Sequence, residues 1–278
     1  MRNVVRRDGS SPGDWRGIAA FLAVTFGWSW GFWIPKAVAA SGFVQRVPVL
    51  PDLGAFGPTV AAFALVTYAN GRPGAKRLAL RALSRDYPKR WLLPALLLTP
   101  AIVFASLAVA DLTETTPAYP WADDPVVLPA AFLVILVLGG PLQEEFGWRG
   151  YLLDPLQERL TAFGGAVAVG LVWAVWHLPL FYIPSETIYF RNPFLGFAVS
   201  ITLLSVLITW VYNNTERSLL PAILFHASFN WSQAMFPVLD SDPASLTMVG
   251  LLALTTIAVV RYWGPSRLTR ASGESSFG

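Results

Sequence analysis

The chain has 278 residues, of which 54% are apolar and 13% charged, with 12 Trp, 8 Tyr and 18 Phe. The charged share is about half that of an ordinary soluble domain, and one soluble core of this size could not hide so much apolar surface. With no Cys in the sequence, a disulfide framework and thiolate chemistry are both excluded. The net charge of +3 says less than the way the charges are distributed. The apolar runs are continuous over about twenty residues rather than alternating over about ten, which selects membrane helices over barrel strands. The predicted fold class is all-α, a polytopic membrane helix bundle of about eight transmembrane helices.

Eight spans are predicted in chain order, at 17–35, 53–69, 91–110, 128–153, 164–182, 194–212, 219–236 and 246–263. The first follows Arg6, Arg7 and Arg16, and Ala37 and Ala39 echo a cleavage site. However, the run is long for a signal peptide and Pro35-Lys36 interrupts it, so it reads as a retained span. The connection from Gly71 to Arg90 carries Arg72, Lys76, Arg77, Arg81, Arg85, Lys89 and Arg90 against Asp86 alone. These are topology signals near anionic lipid, or a short interfacial helix over Lys76–Arg85. The connection after the third span holds Asp111, Glu114, Asp123 and Asp124 and no basic residue. Basic connections stay cytoplasmic, so both termini are expected inside a bacterial or archaeal plasma membrane. Of the 20 Lys and Arg, that layout leaves Lys36, Arg46 and Arg191 facing outward. The polar ends, Met1–Asp14 and Ser266–Gly278, are expected to be loose. Residues 1–124 are read as an N-terminal three-span part, 125–236 as a catalytic core, and 237–278 as the last span with a cytoplasmic tail.

Ionisable groups inside a span are costly and usually functional. Here they are Glu144, Glu145 and Arg149 in the fourth span, His177 in the fifth, and His226 with Asn230 in the seventh. The sequence holds 2 His in all, and both fall in apolar runs. Glu145 and Arg149, four apart, are placed to pair along one helix face. Glu144 is turned about 100° from Glu145 and must meet another neighbour. His226 and Asn230 share a face, as do Trp173 and His177. The fourth span must run to Leu153, putting Glu144 about 13 Å from its end, for these groups to share a site in the inner half of the membrane. Asp154-Pro155 then reads as the start of a short interfacial helix. Pro141 after Gly139-Gly140 leaves the Val137 carbonyl without its helical donor, so a kink is expected beside Glu144.

E-E-F-G-W-R-G (Glu144–Gly150) resembles the E-E-x-x-x-R motif of the CPBP family, the CAAX-processing and bacteriocin-processing intramembrane proteases. The second motif of that family, F-x-x-x-H, is matched by Trp173 to His177 with Trp for Phe, and its third, H-x-x-x-N, by His226 to Asn230. The three occur in order on separate spans, across about residues 125–235. An aromatic packing role survives the Trp, while the shape of the pocket is left open.

The resemblance implies an intramembrane endopeptidase acting on a membrane-associated peptide or protein, with Glu144 as the catalytic carboxylate beside His177. Glu145, Arg149, His226 and Asn230 belong to the same site. Hydrolysis needs an activated water and donors for the oxyanion, roles open to Glu144 with His177 and to Asn230 with His226. A zinc-dependent metalloprotease would use Glu144, His177 and His226 as ligands, though no H-E-x-x-H helix is present, and a metal-independent glutamate mechanism is favoured, with no cofactor. A proton-coupled transporter would use the same groups as a relay but more often shows repeated halves, and a non-catalytic binding or immunity protein would keep the site as a relic. The bilayer is the expected partner surface, and no nucleic-acid partner is expected.

Overall fold

A computed structural model describes residues 15–42, 53–112, 119, 121–190 and 192–270. Arg46, Glu114 and Arg191, and the ends 1–14 and 271–278, lie outside the described residues. Every regular element among those described is helical: α1 Trp15–Ala40, α2 Gly57–Arg81, α3 Leu92–Ala110, α4 Val127–Leu138, α5 Pro141–Gly147, α6 Leu153–Arg159, α7 Ala162–Trp176, α8 Phe194–Asn213, α9 Leu219–Met235 and α10 Asp242–Trp263. The all-α bundle is as expected. Among the described residues, 6 helical stretches are long and apolar enough to cross a membrane on their own, one of them the stretch from Val127 to Arg159. The other two expected spans correspond to α2, whose second half is basic, and α9, which has 17 residues.

The exteriors are apolar, as lipid contact requires. In α10 the buried residues recur about once per turn, at Ala244, Met248, Leu252, Thr256 and Val259, while Leu246, Leu254 and Ile257 point outward. None of the residues of α4 is buried, and Leu133, Val134 and Leu138 are exposed on it. The helices meet where side chains are small, which lets backbones approach. A Cβ on Gly147 would lie 2.6 Å from the Pro58 backbone, and one on Gly170 equally close to the Thr202 Cα. Thus α5 sits against α2, and α7 against α8. The α9 helix packs against α3, α4, α5 and α8.

Several boundaries differ from expectation. The α1 helix passes through Pro35 to Ala40 with Phe21 and Trp33 buried, and Trp30 Nε1 donates to the Trp176 carbonyl at 3.0 Å. The α2 helix breaks at Gly71 (φ 64°) and resumes to Arg81, so the alternative of a short helix over Lys76–Arg85 is met by one that begins and ends earlier. Its Arg81 turns inward to the Gly150 carbonyl at 3.0 Å. The fourth span is interrupted at Gly139-Gly140 and then runs unbroken from Pro141 to Arg159 through a π turn at Trp148–Leu152. Asp154-Pro155 therefore does not start a new helix. Leu152 ahead of it is already helical, and Asp154 instead accepts from the Tyr212 hydroxyl at 3.0 Å and pairs with Arg81 and Arg217.

Candidate functional site in the bundle interior

The break before α5 places the two Glu residues. Gly140 adopts φ 106°, a conformation open to glycine, and this re-aims the chain into Pro141. The Val137 carbonyl, expected to be free, is taken by Gln143 Nε2 at 2.7 Å. Gln143 Oε1 accepts from the Gly140 N–H at 3.2 Å, and the Gln143 carbonyl accepts from the Thr59 hydroxyl at 2.5 Å. One buried amide thus satisfies both edges of the break, which would otherwise leave polar backbone unpaired in an apolar interior. The residue was passed over in the sequence.

Glu144 and Glu145 diverge as their spacing requires. Glu144 Oε2 accepts from Trp173 Nε1 at 2.6 Å and from Trp148 Nε1 at 3.3 Å. A Cβ on Gly140 would lie 2.4 Å from Glu144 Oε1 and 3.8 Å from Asn230 Nδ2. Glu145 Oε1 accepts from Arg149 Nη1 at 2.8 Å and from His226 Nδ1 at 3.0 Å. Both members of the Glu145–Arg149 pair are fully buried. Arg149 Nη2 reaches Ser205 Oγ at 3.1 Å, and that hydroxyl donates to the Ala166 carbonyl at 2.7 Å. The guanidinium also lies 5.0 Å from the Trp173 ring centroid. Four helices are thereby tied to one charge cluster.

His177 ends α7, and its Nδ1 meets the Trp173 carbonyl at 2.8 Å. A carbonyl only accepts, so Nδ1 carries the proton and Nε2 of the neutral ring keeps its lone pair. The Tyr189 ring covers this imidazole, with centroids 5.3 Å apart. Asn230 Nδ2 donates to the Gly139 carbonyl at 3.1 Å, from the far side of the same break. Glu144, Trp173, His177, His226 and Asn230 all line a cavity of about 520 Å³, within the range of small-molecule and peptide pockets, about 300–1,000 Å³. Glu145 and Arg149 stand behind this wall. Trp148, Ser205 and Tyr189 were not singled out in the sequence. Trp148 could have been found from its position one turn after Glu144, while Ser205 carries no local signal. Among the described residues no group of three His, Cys, Asp or Glu side chains forms a metal-holding set.

A buried carboxylate cluster facing a cavity inside an apolar helix bundle defines an integral membrane protein with a polar intramembrane site. Residues 126–232 match the model of the Rce1-like family, type II CAAX prenyl endopeptidases. The chain is 24% identical over 258 residues to CAAX prenyl protease 2 of Methanococcus maripaludis, spanning 88% of this chain and 92% of that one. It is 25% identical over 148 residues to lysostaphin resistance protein A of Staphylococcus haemolyticus, spanning 50% of this chain and 38% of that one. The resemblance read from the three motifs is borne out, and the similarity supports an intramembrane peptidase.

Proposed function

We propose that the protein is an intramembrane endopeptidase of the CAAX prenyl protease type that hydrolyses a peptide bond of a membrane-associated substrate by a glutamate mechanism, with residues 125–236 as its catalytic core. The observation that carries this reading is the Glu144 carboxylate, oriented by two indole N–H groups in a cavity wall it shares with both imidazoles and Asn230. Glu144 takes a proton from water as the water attacks the scissile carbonyl, and His177 Nε2 accepts a hydrogen bond from the remaining O–H. The tetrahedral oxyanion receives the free N–H of Asn230 and, when the ring carries both protons, His226 Nε2–H. Glu145 holds the opposite edge of that ring. Glu144 then returns its proton to the leaving amine as the carbon–nitrogen bond breaks, so it ends as it began.

Purified protein in lipid should cut a membrane peptide, and Glu144→Gln should abolish the cleavage. Loss of one oxyanion donor costs roughly 2.7–4 kcal/mol of transition-state stabilisation, so His226→Gln should retain slow turnover. Chelator should leave the native rate unchanged. Stoichiometric zinc lost together with activity would replace the glutamate mechanism by the metal one. Full activity in Glu144→Gln would refute the role of that residue, and absence of cleavage of any membrane peptide would refute the peptidase.

A further inference from the structure

The two ends of the bundle differ in charge, and the cavity opens at only one of them. The first end is defined by contacts between chain segments: Arg81 to the Gly150 carbonyl, Tyr212 to Asp154, Ala162 N–H to the Ser266 carbonyl at 2.9 Å, and Asn214 to the Leu268 carbonyl at 2.7 Å. It carries the basic 71–90 connection together with Arg159, Arg217, Arg267 and Arg270. The second end is gathered by Trp30 on the Trp176 carbonyl and by Phe236 against Phe104, Tyr119 and Trp121. It carries Asp111, Asp123, Asp124, Asp240 and Asp242, and Lys36 is its one Lys or Arg among the described residues.

The cavity belongs to the second end. The α8 helix lines it from Gly196 to Leu204 and not beyond, α9 from His226 to Ala234, and α10 from Asp242 to Val249. Each of these helices contributes only its half nearer the acidic end. The rim is made by the 183–193 connection through Ile188, Tyr189 and Asn192, and by Leu239. Toward the basic end the space below Glu144 is filled: Trp148, Arg149 and Ser205 are each 0% exposed.

Positively charged connections are retained on the cytoplasmic side. We infer that the cavity opens away from the cytoplasm, so that the enzyme takes its substrate from the extracytoplasmic face. The occupant is an extended peptide segment, anchored in the membrane or exported across it, whose scissile bond passes between the 183–193 connection and the start of α10 to reach Glu144. A peptide confined to the cytoplasm does not reach the carboxylate by this route. This inference rests on the peptidase reading for the identity of the occupant, and on charge and cavity geometry for the direction.

The protein has no native Cys, so single-Cys variants report one position each. Asn192→Cys and Asp123→Cys at the acidic end, and Arg85→Cys at the basic end, would be treated in intact cells with a membrane-impermeant maleimide. The expected result is labelling of Asn192→Cys and Asp123→Cys in intact cells, and of Arg85→Cys only after lysis. Maleimide attached at Asn192→Cys should also remove most of the peptide cleavage, with Arg85→Cys labelled after lysis keeping it. Labelling of Arg85→Cys in intact cells, or of the two acidic-end positions only after lysis, would overturn the orientation. Unimpaired cleavage by fully labelled Asn192→Cys would overturn the entry route. The expected labelling pattern in a protein that cuts no membrane peptide would leave the direction standing and refute the peptidase instead.

Discussion

Arg149 shows most directly what single residues contribute. Its guanidinium is fully buried and held by Glu145 and Ser205, in a setting where a charge deprived of its partner is expensive. Arg149→Ala leaves Glu145 with His226 alone, and breaking a buried pair in this way costs about 3–5 kcal/mol. The variant is expected to melt well below the native protein in detergent and to lose activity even where it folds. A native-like melt with full activity would remove the structural role. The pair itself was legible in the sequence, because a four-residue spacing on a helix dictates contact. The Ser205 hydroxyl was not, because it lies 56 residues away on another helix and only packing brings it near. The two indoles on Glu144 fall between these cases. Trp173 sits in the second motif and was read for its aromatic bulk, whereas its N–H is what touches the carboxylate.

At the level of elements, the interrupted fourth span decides the site. Gly139, Gly140 and Pro141 announce a discontinuity in the sequence, and one is present. What closes it was not announced, since Gln143 acts through a side chain that folds back across the gap. Gln143→Leu keeps the bulk and removes both hydrogen bonds, leaving a buried carbonyl and N–H unpaired. The expected loss is about 1–3 kcal/mol per orphaned group, read as a lowered melting temperature. Because the Gly139 carbonyl and Asn230 meet across the same gap, kcat should fall more than KM rises. A variant with native stability and kinetics would show that the break holds without the amide. The helix ends were less legible than the helices. Arg159 closes a helix expected to stop at Leu153, because the π turn absorbs the change of register without ending the element.

For the whole molecule, apolar runs were sufficient to place the helices, six of which are long and apolar enough to cross a membrane among the described residues, and the asymmetry of Lys and Arg was sufficient to distinguish the two ends. The position of the cavity between those ends was not: the sequence placed the site in the inner half of the membrane, whereas the cavity is lined by the halves of α8, α9 and α10 nearer the acidic end. The basic end is fastened by Asp154, which meets Arg81, Arg217 and Tyr212 from three separate elements. The Asp154, Arg81 and Arg217 side chains are partly exposed, and ion pairs of that kind contribute about 0.2–1 kcal/mol each. Asp154→Asn is therefore expected to lower thermal stability modestly at low salt, with the difference from native protein shrinking at high salt as screening removes the advantage. A salt-independent difference would assign the stabilisation to the Tyr212 hydrogen bond instead.

The indole clamp on Glu144 has a consequence for how activity is to be measured. Indole N–H groups donate without titrating, so the direction in which the carboxylate points does not depend on the acidity of the medium. A limb in the rate profile against pH then reports protons gained or lost by the reacting groups, not a realignment of the catalyst. Kinetic titration of this protein is in that sense a direct reading of its chemistry.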